Sequence, residues 1–145
     1  MYVKQISVFL ENKPGALFGL TNVLAQHGID MRALYLAETS DFGIARIIVN
    51  DVYKTTTVLR DAGYVHNISH VLGVAVSDAP GDLNKVLQVL TNAMVNVEYM
   101  YAFLGGEKNK KTAYMMCRVD DNDRAAAALH KQGIRTVDAE EISGL

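Results

Sequence analysis

The segment Asn12-Lys13-Pro14-Gly15-Ala16-Leu17 combines residue types that could bind a carboxylate. A helix that begins at Pro14 would present the N–H groups of Gly15, Ala16 and Leu17, which have no partners within the helix and carry partial positive charge. Gly15 also has no Cβ to keep a ligand away from the backbone. The Asn12 amide could accept a hydrogen bond from an ammonium group or donate one to a carboxylate. The alternative is that Asn12 only caps the helix, and the two roles are compatible.

A similar segment recurs in the second half of the chain as Asp78-Ala79-Pro80-Gly81-Asp82-Leu83. Beyond it the spacing between equivalent residues becomes larger, since Asp51, Leu59 and Gly63 recur as Asp121, Leu129 and Gly133. These recurrences predict an internal duplication, with one domain over residues 1–69 and another over residues 70–145. The change of spacing predicts about four additional residues in the second copy, and we place them in the segment 104–111.

The two copies differ where a ligand would bind. Asp78 stands in place of Asn12, and Asp82 stands in place of Ala16. A carboxylate in the first turn interacts favourably with the helix dipole, and it would repel an incoming carboxylate. We therefore expect the Asn12–Leu17 loop to be the better carboxylate site. In the second copy the candidates are Asp78, Gly81 and Leu83, with Asp78 suited to an ammonium group or to capping.

The hydrophobic pattern of each copy predicts strand, helix, strand, strand, helix, strand. In the first copy these are a strand through Ile6, Val8 and Leu10, a helix from Pro14 to Gly28, strands over 29–38 and 43–50, a helix over 52–62 and a strand over 64–69. In the second copy they are a strand over 71–77, a helix over 80–93, strands over 95–103 and 112–119, a helix over 121–132 and a strand over 135–142. This order predicts the α+β class, as two tandem ferredoxin-like βαββαβ plaits with antiparallel sheets and helices on one face.

The Asn12-x-Pro14-Gly15-x-Leu17 pattern, its recurrence, and the segments 28–35 and 95–102 together resemble the ACT domain family, twice over the chain. The resemblance implies a regulatory protein that binds small ligands, usually amino acids, at interfaces between paired modules. The regulatory subunit of acetolactate synthase is a similar separate-chain case. The resemblance also implies that second strands complete the pocket, with the candidates Met31, Leu34, Tyr35, Leu36, Tyr99, Met100 and Tyr101. Core packing is the alternative for each of these residues.

The sheet face away from the helices is predicted to be half apolar. On the strand alternation it carries Phe9, Ile48, Tyr114 and Met116 beside Gln5, Ser7, Arg46 and Arg118. Such a face is poorly suited to bare solvent, so we predict a homodimer that packs through it.

Composition excludes several other classes. The formal net charge of -2 is dispersed, which argues against a nucleic-acid partner, and no apolar run reaches the roughly 20 residues of a membrane span. The N-terminus does not resemble a signal peptide and Cys117 is a single cysteine, so we expect a cytoplasmic protein. Neither a metal signature among the four histidines nor a catalytic triad is recognisable, and we expect no cofactor. Together with these exclusions, the resemblance to the ACT domain family implies an amino-acid sensor, not an enzyme, that modulates a separate metabolic enzyme. The alternative is an assembly module that binds no ligand.

Overall fold

The computed structural model describes residues 2–103 and 112–144. The chain divides into a first unit of residues 4–69 and a second unit of residues 1–3 and 70–145. The predicted insertion at 104–111 lies outside the described residues.

The first unit contains two helices and a four-stranded sheet. Its elements are β1 (Val3–Glu11), α1 (Ala16–Gln26), β2 (Met31–Glu38), β3 (Phe42–Val49), α2 (Val52–Asp61) and the beginning of β4 (His66–Ser77). The strand order is β2-β3-β1-β4, and β3 pairs antiparallel with both of its neighbours. The alternation predicted for β1 places Ile6, Val8 and Leu10 in a core with Leu20 and Leu24 of α1.

The second unit repeats this arrangement around the remainder of β4. Its further elements are α3 (Asp82–Asn92), β5 (Val97–Phe103), β6 (Thr112–Val119), α4 (Asn122–Lys131), β7 (Thr136–Val137) and α5 (Ala139–Ser143). The strand order is β5-β6-β4-β7, with antiparallel pairs throughout. The predicted fold class, two tandem ferredoxin-like plaits with helices on one face, is confirmed.

Local hydrogen bonds show that the duplication extends to the backbone. Asp51 caps α2 by accepting a hydrogen bond from the Lys54 N–H at 3.0 Å. In the same way Asp121 caps α4 by accepting a hydrogen bond from the Arg124 N–H at 3.0 Å. Both caps have extended backbone, with φ of -137° and -145°. The cores also correspond, since buried Ile47 of the first unit has buried Cys117 as its counterpart in the second.

The ends of several elements differ from the predictions. Pro14 and Pro80 lie before the N-caps Gly15 and Gly81, so neither proline is in the first helical turn. The strand predicted over 135–142 has only two residues, because Asp138 accepts a hydrogen bond from the Glu141 N–H at 2.9 Å and caps α5 instead. The strands predicted separately over 64–69 and 71–77 form one continuous strand, β4.

The sheet face away from the helices is more buried than predicted. Five residues expected to be exposed there are buried within a single chain: Gln5, Ser7, Ile48, Tyr114 and Met116. Phe9 remains 38% exposed. Strand alternation identifies which residues share a face, but it does not show what covers that face. Because most of this face is already buried within one chain, it does not support the predicted homodimer, which stays a prediction.

Candidate functional site

The loop between β1 and α1 ends in a left-handed glycine. Gly15 is the N-cap of α1 with φ of 85°, and its carbonyl accepts the Gly19 N–H at 2.9 Å. The Ala16 N–H is engaged, because it donates to the Lys13 carbonyl at 3.3 Å. Of the three donors predicted to be available, those of Gly15 and Leu17 make no hydrogen bond within the described residues. They are the backbone groups that a carboxylate could reach.

Asn12 does not cap the helix. Its Nδ2 group donates to Glu38 Oε2 and to the Thr39 carbonyl, both at 3.3 Å, and its backbone N–H donates to the Asp41 carbonyl at 3.4 Å. The side chain thus attaches the loop to the β2–β3 turn. A ligand carboxylate would have to compete with Glu38 and Thr39 for the amide donors, whereas the amide oxygen can still accept from an ammonium group. The sequence does not predict Glu38 and Thr39 as partners of Asn12, because contacts with a hairpin distant in sequence have no local signal.

Gly15 is required by its conformation, not by a lack of space. A Cβ at this position would meet no atom within 4 Å, but a φ of 85° is unfavourable for any residue with a side chain. Gly81 has the same property, with φ of 88° and open space around it. The turn therefore explains both glycines, and close approach of a ligand is an additional use of Gly15.

Lys13, the cation of the first loop, is already paired. Its ammonium group lies 2.7 Å from the Glu11 carboxylate, and both side chains are exposed to solvent. The hydrogen bond and charge of this pair lower the pKa of Glu11 and raise the pKa of Lys13. An exposed pair of this kind contributes little to stability, so Lys13 could exchange Glu11 for a ligand at small cost.

The second loop has the same backbone and different charges. The Asp82 N–H donates to the Ala79 carbonyl at 3.2 Å, as Ala16 does to Lys13 in the first loop. The Asp82 carboxylate lies in the first turn of α3, 3.3 Å from the Lys85 ammonium group. Asp78 does not cap α3, so the capping role considered for it is wrong. Leu83, the third candidate of this loop, is 38% exposed.

The candidates on β2 lie on both faces of the first sheet. Leu34 and Leu36 pair with the core residues Ile47 and Ala45, so they are on the helix side, where they are 40% and 48% exposed. Met31 packs against the first core. Tyr35 points to the opposite face, where the Arg46 guanidinium lies 5.8 Å from its ring centroid.

The candidates on β5 divide in the same way. Met100 pairs with Cys117 and packs against the second core, whereas Tyr101 pairs with Met116 and is buried on the other face. Tyr99 is half-buried on the Tyr101 side. Because successive side chains alternate, only some residues of each strand can face one ligand.

Cys117 is a core residue. Burial raises the pKa of its thiol to about 12, so the reactive thiolate is disfavoured near neutral pH. Within residues 2–103 and 112–144, His, Cys, Asp and Glu side chains form no cluster of three that could hold a metal ion. In the same part of the chain, every helix is too short or too polar to cross a membrane.

Comparison with known proteins extends these observations. Residues 1–145 match a family described as an ACT domain pair. The structure is similar to protein BT0572 from Bacteroides thetaiotaomicron, with 37% identity, a TM-score of 0.91, and coverage of 100% of this chain and 98% of that chain. Two proteins of lower identity share the fold. The regulatory subunit of aspartate kinase from Thermus flavus has 15% identity, a TM-score of 0.62, and coverage of 88% and 90% of the two chains. The regulatory subunit of aspartate kinase from Thermus thermophilus has 14% identity, a TM-score of 0.63, and coverage of 88% of this chain and 91% of that chain. No curated protein matches.

Proposed function

Because the chain belongs to the ACT domain family, as an ACT domain pair over residues 1–145, we propose that it is an amino-acid-binding regulatory protein without catalytic activity. The bound amino acid would stabilise one conformation of the chain, and a separate metabolic enzyme would respond to that conformation.

The observation that supports this proposal is the uncapped N-terminus of α1, which lies in the same loop as the Asn12 amide. Within the part of the chain that the structure describes, no side chain caps α1 and the Leu17 N–H makes no hydrogen bond, so it is available to an anion. The Asn12 amide oxygen and the Glu38 carboxylate, 3.3 Å from Asn12 Nδ2, are acceptors for an ammonium group. Donors for a carboxylate and acceptors for an ammonium group at one loop are what a free α-amino acid requires.

The second loop is a poorer carboxylate site on the same reasoning. Asp82 already places a carboxylate at the N-terminus of α3, where the first copy has Ala16. A ligand carboxylate would meet like charge at short distance there. We therefore propose one amino-acid site per chain, at the Asn12–Leu17 loop, with apolar surface from Leu34 and Leu36 as candidates for the side-chain contacts.

Thermal unfolding of the full chain with each of the twenty amino acids tests the proposal. A ligand at about 100 times its dissociation constant stabilises the folded state by about 2.7 kcal/mol. For a chain of 145 residues this corresponds to a rise in Tm of several degrees, at roughly 2–4 °C per kcal/mol. A rise with one amino acid or a few related ones supports the proposal. If none of the twenty raises the Tm, the chain does not sense free amino acids, and the assembly module becomes the better explanation.

A further inference from the structure

A cleft of about 1170 Å³ lies in the second unit, bounded by α3, the end of α4 and the end of β4. Its described lining includes the apolar side chains Val86, Val89 and Ile134 and the exposed cations Lys85, Lys131 and Arg135. The lining also includes Asp82 at the start of α3, but not Asp78, Gly81 or Leu83, the ligand candidates of the second copy of the loop.

The first unit has an aromatic side chain at the corresponding place. Tyr64 and Ile134 are structural equivalents, since their N–H groups donate at 2.9 Å to the carbonyls of Leu59 and Leu129. A Cβ on Gly19 would lie 3.4 Å from Tyr64 Oη, so the tyrosine side chain lies directly against α1. In the second unit the isoleucine is too short to fill this space.

A second aromatic residue of the first copy is also replaced at the cleft. Asn84 lines the cleft on α3 at the position that Phe18 has on α1. Phe18 is 71% exposed, so its ring lies at the surface of the first unit, and Asn84 presents an amide there instead. Together with the change from Tyr64 to Ile134, this replacement makes the second copy less bulky and more polar on a shared backbone.

The charges of the lining change as well. Lys85, Lys131 and Arg135 stand at the positions of Gly19, Asp61 and Val65. Two of these cations have acidic partners, since Asp82 lies 3.3 Å from Lys85 and Arg135 pairs with Glu141. Among the described residues Lys131 has no acidic partner. The position that carries an acid in the first copy thus carries, in the second, a cation without an acidic partner among the described residues.

We propose that this cleft is a second ligand site, for a small organic carboxylate with an apolar portion. Lys131 supplies a positive charge without an acidic partner among the described residues, whereas the Asp82 carboxylate of the lining is already paired with Lys85. The amides of Asn84, Gln88 and Gln132 also line the cleft and can donate hydrogen bonds to a ligand. The apolar surface formed by Val86, Val89 and Ile134 accommodates the hydrocarbon part. The site uses none of the residues of the Asn12–Leu17 loop, so it does not depend on the proposed function.

The test is a two-dimensional amide NMR titration of the full chain at constant ionic strength. The probe is hexanoate, with hexanamide as its uncharged analogue and inorganic phosphate as an anion without an apolar portion. We expect saturable shifts at α3, the end of α4 and β7 with hexanoate, and binding weaker by about tenfold or more with the other two. Equal shifts from phosphate would mean general screening of cations and would overturn the proposal.

Three variants separate the cleft from the rest of the surface. Ile134→Tyr restores the ring of the first copy and should abolish the hexanoate shifts. Lys131→Asp restores the charge of the first copy and should weaken binding about tenfold, which keeps the proposal testable if the tyrosine is not tolerated. Lys54→Asp makes the same charge change on an exposed position of α2 and should leave binding unchanged.

Two results would contradict the proposal. One is hexanoate binding that survives both cleft substitutions. The other is a set of shifts confined to residues 12–17, which would assign the carboxylate to the loop site, support the proposed function, and exclude the cleft.

Discussion

Gly28 and Met94 occupy equivalent positions after α1 and α3, and both have left-handed backbone, with φ of 66° and 59°. The glycine adopts this conformation without strain, whereas the methionine has a Cβ that crowds the following carbonyl oxygen. The Met94 side chain is 80% exposed, so little packing compensates for the strain.

Met94→Gly should therefore stabilise the protein. Relief of the left-handed strain favours the folded state by about 1–2 kcal/mol, and the greater freedom of glycine in the unfolded chain removes about 0.4–1 kcal/mol of this. The expected net gain is about 0.5–1 kcal/mol, measured by chemical denaturation. The reciprocal Gly28→Met should be destabilising, and a stabilising effect would show that the position is not strained.

Gly73→Ala should destabilise the second unit. A Cβ on Gly73 would lie 2.5 Å from Val137 Cγ2 and 3.1 Å from the Val137 carbonyl oxygen, so β7 would have to move away from β4. Overpacking of this kind costs about 1–3 kcal/mol. Gly43→Ala is the matched control, because its Cβ would meet only ordinary contacts at 3.4 and 3.5 Å. Equal free energies of unfolding for the two variants would contradict the prediction.

Cys117 should be unreactive in the folded protein and should make stability fall at high pH. Burial raises the pKa of its thiol from 9.0 to about 12. Between pH 9 and 12 the thiol loses its proton in the unfolded chain and keeps it in the folded chain, which lowers the free energy of unfolding. The contribution of the buried thiol to stability is therefore complete below pH 9 and is lost as the pH rises toward 12. Labelling with a thiol reagent at pH 8 should require unfolding, and Cys117→Val should reduce the alkaline loss of stability. Rapid labelling of the native chain would show that the thiol is accessible.

Ala16→Asp should weaken binding of the amino acid found in the thermal screen. The substitution reproduces the charge that Asp82 brings to α3, and we expect about tenfold weaker binding by calorimetry, with a smaller effect at high salt. Ala16→Asn is the matched control, because asparagine is nearly the same size as aspartate but carries no charge. This variant should bind the amino acid about tenfold more tightly than Ala16→Asp does. Loss of binding with Asp82→Ala instead would place the amino acid at the second loop.

The duplication could be predicted from the sequence because its signals are local. Asp51 and Asp121 are helix caps, and Gly63 and Gly133 have positive φ after helices, as their residue types indicate. Proline suits a first helical turn, so the sequence predicts Pro14 within α1, but the following Gly15 is left-handed and the helix begins only after it. Residue preference alone does not determine which of two adjacent breakers begins a helix.

The candidate site was less predictable because its partners are distant in sequence. Asn12 has the composition of a cap, and only the folded hairpin shows that Glu38 and Thr39 bind its amide instead. The burial of Gln5 and Ser7 has the same origin, since a polar alternation on a strand indicates an exposed face unless something covers it. The cleft beside Ile134 could have been suspected from the aligned copies, where Tyr64 has no aromatic counterpart.

The pair Tyr64 and Ile134 also bears on how such a protein can evolve. In a homodimer of identical single modules, every mutation appears in both subunits, so a change that opens a cleft in one must open it in the other. Two copies fused in one gene are inherited together but mutate separately. Tyr64 can be retained in one half while its counterpart is replaced in the other. Each half can therefore be selected for its own task, and the two remain in equal amounts in every molecule.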